Sequence, residues 1–135
     1  MTREGGCLCG AVRYRVEGNP RETVHCHCRM CQQFSGAAFI TWATFPKAAL
    51  TYTKGAAAVY RSSEYGQREF CSTCGSSLAF RGSRLPTVDI AAVSLDTPDA
   101  FAPVANTWAR SRRAWLHGFD GRLTDIETEW PGDET

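Results

Sequence analysis

Within Ala11–Glu17, Val12, Tyr14 and Val16 alternate with Arg13, Arg15 and Glu17. A two-residue period puts one set on each face of an extended chain, so the segment reads as a half-buried strand. Short runs rich in β-branched and aromatic residues follow at Phe39–Thr44, Leu50–Thr53, Ala58–Arg61, Ser77–Arg81 and Val88–Val93, the composition expected of strands. Turn formers separate them, among them Gly18-Asn19-Pro20, Lys54-Gly55 and Arg81-Gly82-Ser83. No long stretch carries a 3.6-residue apolar period. The pattern predicts only single helical turns at Met30–Phe34 and near Pro98–Phe101, and a polar tail at Asp133–Thr135 that frays. The fold class is mainly β, a small and mostly antiparallel sheet protein.

Composition narrows the function classes. A length of 135 residues points to a single domain over 1–135. With 43% hydrophobic and 21% charged residues the chain can bury a core, which excludes disorder. The net charge of +1, with Lys and Arg dispersed, lacks the basic stripe of a nucleic-acid binder, so no nucleic-acid partner is expected. No apolar run approaches the ~18–20 residues of a bilayer span, and MTREGGCLCG lacks the apolar stretch of an export signal. The expectation is a cytoplasmic protein without membrane contact.

Cysteine is the outlier. The seven cysteines fall in three tight groups: Cys7 with Cys9, Cys26 with Cys28 and Cys31, and Cys71 with Cys74 followed by Gly75. An odd number, so closely spaced and without an export signal, argues against disulfides. Such spacing suits zinc, which accepts four thiolates tetrahedrally at ~2.3 Å. Seven divides into four plus three: four thiolates close a structural site, and three leave a position open for chemistry. Two pairings are compatible with the spacing. Cys28 and Cys31 with Cys71 and Cys74 would make a zinc ribbon, leaving Cys7, Cys9 and Cys26 over. Cys7 and Cys9 with Cys71 and Cys74 would close one site and leave Cys26, Cys28 and Cys31 as a compact open one. Spacing favours the second.

Histidines flank the middle group. If Thr23–Cys28 is extended, Cys26 and Cys28 share one face while His25 and His27 take the other, away from the metal. His27 is kept as a candidate ligand or proton carrier, because histidine beside zinc cysteines is often recruited. His117 reads as a hydrogen-bonded structural residue.

The segments Gly6–Val16 (GCLCGAVRYRV), His25–Gly36 (HCHCRMCQQFSG), Phe70–Ser77 (FCSTCGSS) and Ser111–Leu116 (SRRAWL) together resemble the glutathione-dependent formaldehyde-activating enzyme family, whose domain is shared with centromere protein V. The resemblance covers nearly the whole chain. It implies a β-tent of packed antiparallel sheets. It also implies two zinc ions per chain, one structural on Cys7, Cys9, Cys71 and Cys74, the other catalytic on Cys26, Cys28 and Cys31. In one departure, Ala105-Asn106-Thr107-Trp108 stands where many members carry a histidine.

The chemistry follows from the open position. A thiol entering a three-thiolate zinc site loses its proton, which suits glutathione or a related small thiol reacting with formaldehyde or another aldehyde, carbon–sulfur lyase chemistry. The carboxylates of glutathione call for cations; Arg29 is the best placed, with Arg61, Arg68, Arg110, Arg112 and Arg113 also available. Ser35 and Gly36 are expected to line the pocket, and Trp42, Trp108 and Trp115 are candidates to wall it. Two other functions compete: a zinc-stabilised binding module without turnover, and a thiol redox protein using Cys28 and Cys31. The second lacks the βαβ context that a thioredoxin-like pair requires.

Overall fold

The computed structural model describes residues 1–116 and 123–128. The alternation that opens the chain is realised in β2 (Arg13–Glu17): Tyr14 and Val16 are buried while Arg15 and Glu17 face water. β2 pairs antiparallel with β1 (Thr2–Gly6) and with β5 (Leu50–Lys54), making a three-stranded sheet. The larger sheet comprises β3 (Glu22–Cys26), β4 (Ile40–Pro46), β6 (Ala58–Arg61), β7 (Gly66–Phe70), β8 (Ser77–Gly82), β9 (Thr87–Ala91), β10 (Ala105–Thr107) and β11 (Thr124–Asp125), in the order β11-β10-β3-β4-β9-β8-β7-β6. Six of its strands run antiparallel to their neighbours, as expected; β10 adds in parallel to β3 and to β11. The one α-helix among the described residues, α1 (Arg29–Ser35), is two turns long where the sequence predicts one.

Each face of the large sheet has its own core. One face packs against the small sheet, with Phe45, Val88 and Ile90 meeting Tyr14, Val16 and Leu50. The other gathers Val24, Cys26, Ile40, Trp42 and Ala91 with Cys31 from α1. Full burial of such side chains contributes about 1.5–3 kcal/mol each. β4 lies between both cores, and its five central positions are largely enclosed on both sides, which masks any alternation there.

The pattern fails where buried residues are charged. β7 reads as polar (GQREF), yet Arg68 and Glu69 are 5% and 3% exposed. Glu69 bridges the two sheets. Its Oε1 accepts the Tyr52 hydroxyl of β5 at 2.7 Å, and its Oε2 accepts Gln67 Nε2 at 3.0 Å and Arg81 Nε at 2.5 Å. Burial, then the bond to Glu69, push the Tyr52 phenol above its ordinary value, so it stays a donor. Glu69→Gln keeps the shape but turns an amide NH2 toward groups that themselves donate. It is expected to cost about 2–3 kcal/mol, read as a lower urea midpoint at unchanged slope.

Two further expectations shift. The strand at Val88–Val93 ends at Ala91 and tightens into a 3-10 turn, Ala92–Ser94. The helical turn near Pro98–Phe101 is instead a reverse turn closed by Ala100 N–H on the Thr97 carbonyl at 3.0 Å. His117 and the tail at Asp133–Thr135 lie outside the described residues. No helix among the described residues is long and apolar enough to cross a membrane.

Candidate functional site

All seven cysteines are free thiols, and they converge as two groups. In the first, Cys7 and Cys9 arrive from the loop after β1, and Cys71 and Cys74 from the loop between β7 and β8. Each loop turns on a left-handed glycine, Gly10 at φ 80° and Gly75 at φ 78°, a conformation open to glycine without a Cβ penalty. Backbone amides aim at the sulfurs: Val12 N–H reaches Cys7 Sγ at 3.3 Å and Cys74 N–H reaches Cys71 Sγ at 3.5 Å. The Cys7–Cys9 and Cys9–Cys71 sulfur separations are 3.6 and 3.8 Å. A tetrahedron with ~2.3 Å metal–sulfur bonds has edges of about 3.8 Å. The donor set and its spacing fit zinc. Hydrogen bonds from Ser76, side chain first, hold the Cys74 thiol below its ordinary value, at about 5.

The second group is Cys26, Cys28 and Cys31, whose sulfurs all lie within 4.8 Å of one another. Cys26 ends β3. Cys28 is the N-cap of α1, its sulfur accepting Cys31 N–H at 3.3 Å, and Cys31 sits one turn in. The helix thus turns two sulfurs toward the third. Hydrogen bonds from the Cys26 and Cys31 thiols push Cys28 far below an ordinary thiol, while the same pairing pushes Cys26 far up. Mutual repulsion prevents all three from ionising alone; a divalent cation removes that obstacle. Trp42 Nε1 and Arg68 Nη1 donate to Cys31 Sγ at 3.4 and 3.5 Å, the kind of outer bond that orients a metal ligand.

The trio lines a pocket of about 510 Å³, within the range of small-molecule sites. Its walls include Trp42, Phe80 and Trp108. Its charged lining is Arg29, Arg68 and Arg84 against Asp89, a balance that favours an anionic ligand. Register assembles part of this surface: Arg68 pairs with Phe80, Phe80 with Asp89, and Asp89 with Thr44, one row across β7, β8, β9 and β4. Trp108 is held at φ 53°, a left-handed conformation rare for a bulky residue and a source of local strain.

Comparison with known proteins identifies the family. The family model described as glutathione-dependent formaldehyde-activating enzyme matches residues 2–111. The chain belongs to that family. An uncharacterised lyase of Schizosaccharomyces pombe is 29% identical over 77 residues, covering 57% of this chain and 56% of that protein. A Halomonas elongata protein that carries the formaldehyde-activating name provisionally is 32% identical over 94 residues, 64% of this chain and 60% of that protein. The matches therefore span less than two-thirds of these relatives. A solved Rhodobacter sphaeroides protein shares the fold at 20% identity, with a TM-score of 0.59 over 91% of this chain and 99% of that one.

Within this formaldehyde-activating family fold, the remaining sequence candidates separate clearly. Arg29 lines the pocket and bonds Gln32 Oε1 at 2.7 Å. Ser35 and Gly36 do not line it: Ser35 Oγ donates to the Cys31 carbonyl, and Gly36, at φ 69°, closes α1. They are helix terminators, because a two-turn helix ends there and its last carbonyls need donors. His27 is fully buried but points away from the pocket. Its Nε2 lies 2.7 Å from Asn106 Oδ1 and its ring packs on Phe39, as does that of His25. Strand alternation carried one residue past β3 turns it away from the sulfurs. Within the Ala105–Trp108 stretch that departs from the family pattern, Asn106 is on this far side too, while its neighbours Thr107 and Trp108 face the pocket. Trp115 is 70% exposed and does not line the pocket. Sequence reasoning passed over Asp89 and Arg84 and left Arg68 equivalent to four other arginines, since only cross-strand register reveals their shared cavity.

Proposed function

We propose that the protein is a zinc-dependent carbon–sulfur lyase, joining glutathione or a related small thiol to formaldehyde or another aldehyde, or reversing that step. The observation that carries this reading is the unequal division of the sulfurs. Four form a closed set away from the pocket, and three share the wall of a cavity large enough for a peptide-sized thiol.

Zinc on the trio would supply a soft acceptor that holds an entering thiol deprotonated at neutral pH. The chain's own residues do the rest. Cys26, Cys28 and Cys31 would hold the ion by three sulfurs at the pocket wall, and the donors from Trp42 and Arg68 orient the Cys31 sulfur. The apolar walls of Trp42, Phe80 and Trp108 keep bulk water from the reacting carbon. Arg29, exposed at the start of α1, offers a charge-assisted bond to a ligand carboxylate. In the forward direction the thiolate sulfur bonds to the carbonyl carbon, the C=O π bond opens, and the oxygen takes from solvent the equivalent of the proton that the thiol released on binding. The product is the S-hydroxymethyl adduct of formaldehyde or the corresponding S-(1-hydroxyalkyl) adduct of another aldehyde. The addition is intrinsically easy, so a modest rate enhancement is expected, and sequestering the adduct is part of the same role.

Metal analysis on protein purified without chelator is expected to return two zinc ions per chain, and calorimetric titration is expected to show saturable glutathione binding that chelation abolishes. One zinc per chain with no glutathione binding would instead support the zinc-stabilised binding module.

A further inference from the structure

Arg68 stands out among the charged residues. It is 5% exposed, and its guanidinium lies over the rings of Phe34 and Phe80, 5.3 and 5.2 Å from their centroids. Its hydrogen bonds run to Ser62 Oγ at 3.3 Å and to Cys31 Sγ at 3.5 Å. Among the described residues no carboxylate pairs with it. A guanidinium so enclosed is costly unless a negative charge accompanies it. The aromatic faces attract it but cannot neutralise it. The negative charge within reach is that of the trio.

We infer that Arg68 is the fixed counter-charge of the three-cysteine site and makes its open position select an anionic sulfur over a neutral one. This rests on the thiol reading above. Three thiolates and one divalent cation sum to −1, and Arg68 brings the buried assembly to neutrality. A thiolate in the fourth position then leaves −1 in the cavity; without Arg68 it would leave −2, while a neutral fourth ligand would add nothing. The guanidinium therefore acts on the charge of the incoming sulfur, whatever the rest of the ligand carries. At an effective dielectric of ~20 and a separation of ~6 Å, that preference amounts to about 100-fold in affinity.

The test compares glutathione with S-methylglutathione, whose tail is identical and whose sulfur is a neutral thioether. Both are titrated calorimetrically into zinc-loaded wild type, R68M and R68K, with metal content measured on each. Wild type is expected to prefer glutathione. R68M is expected to lose about 100-fold for glutathione and little for S-methylglutathione, and R68K to recover part of the preference. Equal loss of both ligands would mean that Arg68 reads the tail, and an undiminished preference would remove its role; either overturns the inference.

A second measurement stands apart from thiol binding. C31S removes one charge beside Arg68, so its drop in Tm is expected to be smaller in the R68M background than in wild type. Equal drops would also overturn the inference. A wild type that binds neither ligand sinks the thiol reading, and the Tm comparison then decides the charge pairing alone.

Discussion

Cys71→Ser is expected to leave the chain unfolded at 25 °C, with loss of the strand signal in far-UV circular dichroism and at most one zinc per chain. Cys71 is 1% exposed and belongs to the core between the two sheets, so its environment cannot relax toward water. The four sulfurs join the loop after β1 to the loop between β7 and β8, 62 residues apart at Cys9 and Cys71. Serine is a poor zinc ligand, and its hydroxyl would be buried where a sulfur stood. Structural zinc contributes about 10–16 kcal/mol to the folding of small domains, against a total stability of about 5–15 kcal/mol for a typical protein. The metal's contribution is thus comparable to the whole of that margin. A Cys71→Ser protein with two zincs and an unchanged melting temperature would deny the closed site its structural role.

Cys28→Ser should behave in the opposite way. The protein stays folded, loses one zinc, and no longer binds glutathione. Cys28 caps α1 through its side chain, and serine is among the best N-cap residues, so the exchange preserves the hydrogen bond to the Cys31 amide. The cap exchange itself costs no more than about 1 kcal/mol, so the fall in stability is expected to be far smaller than for Cys71→Ser, while the soft donor set of the open site falls from three sulfurs to two. Metal analysis with glutathione calorimetry reads the loss, and the melting curve reads the retained fold. Unfolding of this variant alongside Cys71→Ser would show that the two sites are not divided into structural and reactive roles.

Those contrasting outcomes trace back to how the cysteines are spaced. Cys26, Cys28 and Cys31 lie within six residues, so a strand end and one helical turn suffice to bring them together, and the sequence contains the instruction locally. The same is true of Cys71 and Cys74 with Gly75. The strand pattern was legible for the same reason in β2 and β5, whose buried residues are apolar on one face. It was silent at β1, where TREGG lies at a sheet edge with little to bury, and at β7, where the enclosed residues carry charge. Periodicity detects apolar burial and is blind to a buried Arg68 held by aromatic faces or a buried Glu69 held by Tyr52, Gln67 and Arg81.

By itself, then, the sequence determined the mainly β class, the three local clusters of thiols and the chemistry of the donor set, because each depends on residues close together in the chain. That Cys7 and Cys9 join Cys71 and Cys74 was decided by the tertiary structure. Only the tertiary structure decided which residues share the cavity. Strand register places Arg68, Phe80, Asp89 and Thr44 in one row, though they span residues 44–89. Alternation past the end of β3 turns His27 toward Asn106 and away from the sulfurs. Ser35 and Gly36 adjoin the trio in sequence but complete the helix instead, since backbone groups at a helix end must find partners before a side chain is free to meet a ligand.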